Sequence, residues 1–375
     1  MKKLAILLGF WMLFAMSVPT DGFAETSKKP SASKTSKTSK SKKKTTSKKT
    51  TDKKKKSPKK KNDPEQEAEE KPTRDNRPLE EKIAEQQTKF RMTGVKSWYE
   101  LSEEQEAEEV EKQKAQLEEI KKSFSRNNMV YYESAHFLYL TDAPRPIALE
   151  CLKFLEAGFD KLVQIFNLPK ESPVWQGKGI VVAFVRKQDF LEFESTVYQT
   201  NYDFEKILGL AHLSSDGSVV ISMFYGDMTH TDSRWQFLST MIHETTHGFV
   251  HRYRSAVYPP TWLNEGIADF VAGYVVPRST NVPNKQREAL RVMRQTGSVG
   301  GLMAAEGQIM PWQYGVASGL VGFMLKNDPK AFKNFFEAVK SGQNWQRALS
   351  EHYKCSVEQL LLAFGRANRI PHLGM

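Results

Sequence analysis

The sequence predicts an α+β domain in which a small mixed or antiparallel sheet is followed by a mostly helical half. Strand-like runs fall early, at Ala135–Leu140, Gly179–Val185 and the pair around Asp216-Gly217, where Ser218–Phe224 begins a β-rich run after a hairpin signal. Helical periodicity takes over afterwards, in Ser233–Tyr253, Thr261–Val275, Asn284–Arg294 and several segments from Tyr314 onward. One helical stretch, Pro146–Phe166, lies among the strands. Strands first and helices later is the order of an α+β domain rather than of alternating βα units.

This composition holds for residues 128–375; what precedes them differs. Lys2-Lys3, an uncharged apolar run from Leu4 to Val18, and small residues around Gly22-Phe23-Ala24 read as a signal peptide over residues 1–24. The alternative is an uncleaved anchor, for which the run is short of the roughly 20 residues that cross a bilayer. Export, to a periplasmic or extracellular location, is the expectation. No cysteine follows the run to accept a lipid.

Residues 25–77 form a lysine-rich tail. Between 26 and 61 stand 17 lysines against the single Asp52, a net charge of +16. The whole chain carries +11 and residues 1–25 are neutral, so residues 62–375 carry −5. The basic character therefore belongs to the tail, which disfavours a folded domain with a basic nucleic-acid-binding face, and no specific nucleic acid partner is expected. With almost no large apolar residue, the tail cannot offset its chain entropy by burial and is expected to be disordered. It either tethers the protein to anionic envelope polymers or lipid headgroups, or serves as a solvated spacer.

Residues 78–127 read as a charged helical segment. Ser102 and Gln105 have capping-box spacing, and Glu108→Lys112 and Glu118→Lys122 stand at i,i+4. Val110, Leu117, Ile120 and Phe124 give it a narrow apolar stripe, too short for a coiled coil and suited to docking on the neighbouring domain. The two cysteines, Cys151 and Cys355, either pair across the domain or lie apart as buried thiols.

The chemistry concentrates in the helix Ser233–Tyr253, which contains His243-Glu244-Thr245-Thr246-His247, an H-E-x-x-H motif. Histidines four residues apart share a helix face, so both imidazoles reach one metal ion. Glu244, rotated by roughly 100°, lies beside the ion where a general base for the attacking water belongs. Glu265 follows His247 by eighteen residues, within Trp262-Leu263-Asn264-Glu265-Gly266-Ile267-Ala268-Asp269, which opens a new helix after Pro259-Pro260. It is the expected third, anionic ligand of one zinc ion, completing a His₂Glu set with a fourth position open. Asp269, one turn on, is placed to accept a hydrogen bond from a ligating histidine. His251 continues the histidine face and is expected either at the rim of the site or as an outer partner of a ligand; Trp262 is expected to pack.

These residues resemble the gluzincin metallopeptidases, and the N-E-G-x-A-D form looks most like their peptidase-MA-like branch, over roughly residues 130–375. The resemblance implies a thermolysin-like catalytic domain and a peptide or protein substrate. By the same resemblance Tyr314, opening Tyr314-Gly315-Val316-Ala317-Ser318-Gly319-Leu320-Val321, is the candidate oxyanion stabiliser, and the ending Ser341–Ala367 matches the branch's amphipathic close. A departure is the missing G-x-M-E-N element, in whose place Ser218-Val219-Val220-Ile221-Ser222 stands. An edge strand that aligns extended substrates through its main chain is the expectation there, rather than capture of a free amine. The reading is an exported zinc metallopeptidase with Glu244 as base; the rival is a catalytically inactive scaffold of the same build that binds the envelope or a partner.

Overall fold

Six strands form one mixed sheet in the computed structural model, which describes residues 12–17, 74–199, 207–226 and 230–375. They are β1 (Met12–Ser17), β2 (Val130–Glu133), β3 (Phe137–Thr141), β4 (Gly179–Phe184), β5 (Ile207–Leu213) and β6 (Val219–Phe224). The spatial order is β1-β5-β6-β4-β3-β2, with β2 to β6 lying in the folded region. β3, β4 and β6 run parallel, whereas β2, β5 and β1 are antiparallel to their neighbours. Parallel neighbours need a crossover, and α3 (Arg145–Phe166) supplies it between β3 and β4. The remainder of the leader and the lysine-rich tail lie outside the described residues, and among those that are described no helix is long and apolar enough to cross a membrane.

Because side chains alternate across a strand, the sheet feeds two apolar cores. On one face Tyr139, Val181, Ile221 and Met223 pack with α3 and the helical half. On the other, Leu140, Val182, Val220 and Phe224 meet Phe190 and Phe193 of α4 (Lys187–Phe193) and Leu117, Ile120 and Phe124 at the end of α2 (Glu103–Ser123). Three residues of the stripe foreseen on the charged segment, Leu117, Ile120 and Phe124, thus dock it onto the sheet, whereas Val110 is not part of that cluster, and the segment is a layer of the same compact unit. The Ser102–Gln105 capping box forms as expected. Its ion pairs, however, form at i,i+3, as Glu109–Lys112, Glu118–Lys121 and Glu119–Lys122. Ahead of it, α1 (Leu79–Thr93) is held by buried Lys82, whose Nζ donates to the carbonyls of Asp75 and Glu100 and to Gln105.

The helical half comprises α5 (Thr231–Arg252), α6 (Thr261–Val275), α7 (Asn281–Thr296), α8 (Pro311–Asn327), α9 (Pro329–Lys340), α10 (Trp345–Tyr353) and α11 (Val357–Ala367). α5 is buried continuously from Phe237 to Arg252, running between the sheet and α3 and α6. Its position explains one revision of the sequence reading. Val219–Ser222 of the run lie in β6, an interior strand between β5 and β4, so the run is not an edge. The strand lying outside β6 is β5, which packs on α5 and pairs with β1 on its far side. β5 and β6 are the strand pair that the Asp216-Gly217 hairpin signal announces, and β5 is buried along nearly its whole length. Cys151 is buried and Cys355 half-buried, and both are free thiols.

Candidate metal centre

α5 delivers His243, Glu244 and His247, and α6 delivers Glu265 and Asp269; all five are buried. The hydroxyls of Thr245 and Thr246, between the two histidines, are satisfied within the helix by the carbonyls of Met241 and Ile242, each at 2.7 Å. α6 begins directly after Pro259-Pro260, as the sequence signal indicated. Its approach to α8 depends on Gly266: a Cβ there would stand 2.7 Å from the carbonyl oxygen of Ala317 and 2.8 Å from a methyl of Val321. The glycine beside Glu265 therefore sets how closely α6 packs against the helix that carries Ala317 and Val321.

The three expected ligands converge. Nε2 of His243 and Nε2 of His247 are 3.0 Å apart, and Glu265 Oε2 lies 3.3 Å from the first and 3.6 Å from the second. Among the described residues this His243–His247–Glu265 group is the cluster that could hold a metal ion. Nδ1 of His243 donates to Asp269 Oδ1 at 2.9 Å, so in the neutral ring the lone pair sits on Nε2, facing the other two ligands. Burial by itself would make His243 less basic, but hydrogen bonds to Asp269 and Glu265 outweigh it and push its pKa up to about 9. Burial also opposes ionisation of Glu265, yet the adjacent His247 and His243 hold it far below the ordinary carboxylate range. The cluster thus gathers a carboxylate and two imidazoles around a centre that attracts positive charge.

Glu244 stands apart from this set. It is fully buried, and neither carboxylate oxygen has a hydrogen-bond partner. Burial pushes its pKa up to about 8; Glu265 and Asp269 add to the shift, while His243 and Lys285 oppose it. Strand β5 passes beside it: a Cβ on Gly209 would lie 3.5 Å from its Cγ. Tyr314, in the first turn of α8, is half-buried, and its phenol is held protonated by burial and by the nearby charges of Glu265, Asp269 and Glu244. The phenol consequently keeps its proton beside the acidic groups of the site and is able to donate a hydrogen bond.

Not every expectation survives. Instead of lining the rim, His251 turns to the β5–β6 hairpin, where Nε2–H donates to the carbonyl of Ser214 at 3.1 Å and the ring meets Trp98 edge-on. One turn along the helix was enough to carry it past the site. Trp262 packs against Phe335 and Trp345, as expected. Two residues near the centre have no motif to announce them. Tyr258, before the Pro-Pro turn, shares a hydrogen bond with Asn264 and feels the charge of Glu265 and Glu244. Lys285 of α7 binds both oxygens of Asp269. No family model and no curated protein matches this chain.

Proposed function

We propose that the protein is an exported zinc-dependent peptidase with a gluzincin-type, thermolysin-like catalytic domain. The observation that carries this reading is the spacing of the three ligand atoms, 3.0, 3.3 and 3.6 Å, around one point. Bonds of about 2.1 Å at tetrahedral angles separate neighbouring ligand atoms by roughly 3.4 Å, which is the spacing zinc requires. Two imidazoles and one carboxylate are also the donor set of hydrolytic zinc sites, in which a fourth position is left to substrate and water. When bound, zinc would supply Lewis acidity toward a peptide carbonyl and acidify a water.

The chain's own residues have the remaining tasks. Glu244, whose oxygens have no competing partner and whose ionised form the charge of a bound zinc ion would favour, accepts as a carboxylate the proton of the attacking water and returns it to the leaving amine. Tyr314 donates to the oxygen on which negative charge develops. Asp269 fixes the His243 tautomer. The unpaired Glu244 is what favours an enzyme over an inactive scaffold, since an ionisable group buried without partners destabilises the fold and is not needed to hold the ion. The leader supports export, and its removal would take β1 with it and leave β5 as the sheet edge; the lysine-rich tail supports a salt-sensitive tether to anionic envelope material.

Metal content tests the ligand assignment. Protein stripped of metal and dialysed against zinc should hold one equivalent; Glu265→Ala and His247→Ala should lose it in a mild chelator, and Glu244→Gln should retain it. Equal retention in all four proteins would refute the ligand set.

A further inference from the structure

We propose that Lys285 is a positioning residue for the metal centre, acting through Asp269 on His243 and through its charge on the ring of Tyr314. The inference rests on the reading of His243, His247 and Glu265 as a zinc site. Lys285 Nζ lies 3.0 Å from Asp269 Oδ1 and 2.9 Å from Oδ2, and Oδ1 is the atom that accepts from His243 Nδ1 at 2.9 Å. Both carboxylate oxygens are therefore engaged, and the rotamer that presents Oδ1 to the imidazole is pinned from the opposite side. The pair is largely sealed from water, with side-chain exposures of 12% for Lys285 and 1% for Asp269. A buried carboxylate needs a compensating cation, or it reorients toward other donors.

The same ammonium sits 4.8 Å from the centroid of the Tyr314 ring, within cation–π range. Backbone packing puts it there. At Gly315, next to Tyr314, a Cβ would come within 2.1 Å of the Lys285 carbonyl oxygen and 2.6 Å of the Gln286 nitrogen. Only a glycine lets α7 press against α8 at this point. That contact places one lysine between the carboxylate that orients a ligand and the phenol that faces the site. A surface ion pair would do neither.

The test measures zinc affinity by competition with a chromophoric chelator, together with the visible spectrum of the Co²⁺-loaded protein and the thermal midpoint of the metal-free protein. Removing an outer partner of a ligating histidine typically weakens metal binding by about 10- to 100-fold. Lys285→Met should therefore raise the zinc Kd by about that factor and change the cobalt spectrum, while Lys285→Arg, which keeps two donors for the carboxylate, should stay within about threefold of wild type. Should Lys285→Met fail to fold, Lys285→Gln, whose amide can donate but carries no charge, should give an intermediate Kd. A lower thermal midpoint with unchanged Kd and cobalt spectrum would make Lys285 a structural ion pair and overturn the inference. A His247→Ala variant that binds zinc as tightly as wild type would instead overturn the metal reading itself.

Discussion

Replacing Glu244 by Gln should stabilise the metal-free protein at neutral pH, by an amount that grows with pH. The substitution keeps the shape of a side chain that is fully buried and has no hydrogen-bond partner on either oxygen. Burial lifts its pKa from 4.5 to about 8. A folded-state pKa above the unfolded one means that the folded protein binds the proton more tightly. The contribution is complete below about pH 4.5 and is lost as pH rises through about 8. Each tenfold difference in proton affinity is worth about 1.4 kcal/mol, so burying Glu244 costs about 3 kcal/mol at pH 7. Gln removes that cost but buries an unpaired amide at about 1–2 kcal/mol, leaving a net gain of about 1–2 kcal/mol at pH 7. From pH 5 to pH 8 the advantage should widen by about 3 kcal/mol. Urea unfolding of chelator-treated wild type and Glu244→Gln at these two pH values measures it. The same stability difference at both would show that the carboxylate is not desolvated, and the argument for a partnerless base would fail.

Other outcomes follow from the same geometry. Gly266→Ala puts a Cβ 2.7 Å from the Ala317 carbonyl, so α6 and α8 must part by about half an ångström, at about 1–3 kcal/mol; the thermal midpoint should fall by several degrees, and an unchanged midpoint would refute the close-packing account. Tyr314→Phe should lower kcat by about 10²–10³ with little change in KM or zinc content; near-normal turnover would remove Tyr314 from the mechanism. Deleting residues 26–61 should leave peptide hydrolysis intact and abolish low-salt binding to anionic cell-wall or lipid preparations; equal binding by the truncated chain would exclude the tether.

The His243–His247–Glu265 cluster is legible because each motif lies within a few residues of one helix, where local periodicity decides which side chains share a face. Helix α6 runs over Thr261–Val275, the span that the Pro-Pro turn and the apolar pattern indicated. Lys285 was illegible for the opposite reason. On the amphipathic α7 it resembles any solvated lysine, and its partner is fixed by helix packing at Gly315, a tertiary contact with no local signature. His251 misled because helical phase continues past the site while the neighbouring elements do not; there the hairpin carbonyl of Ser214 is the nearest acceptor. The order of β4, β6 and β5 in the sheet likewise depends on crossovers, so a strand readable as apolar was assigned to an edge it does not occupy.

Mass spectrometry of a peptide library after incubation with the zinc-loaded protein tests the central claim most directly. Wild type should produce new amino termini with a consistent preference around the cut, and Glu244→Gln, loaded with the same zinc, should produce none. If zinc-loaded wild type leaves the library intact, or Glu244→Gln cleaves it equally well, the protein is not a peptidase that uses Glu244 as its base.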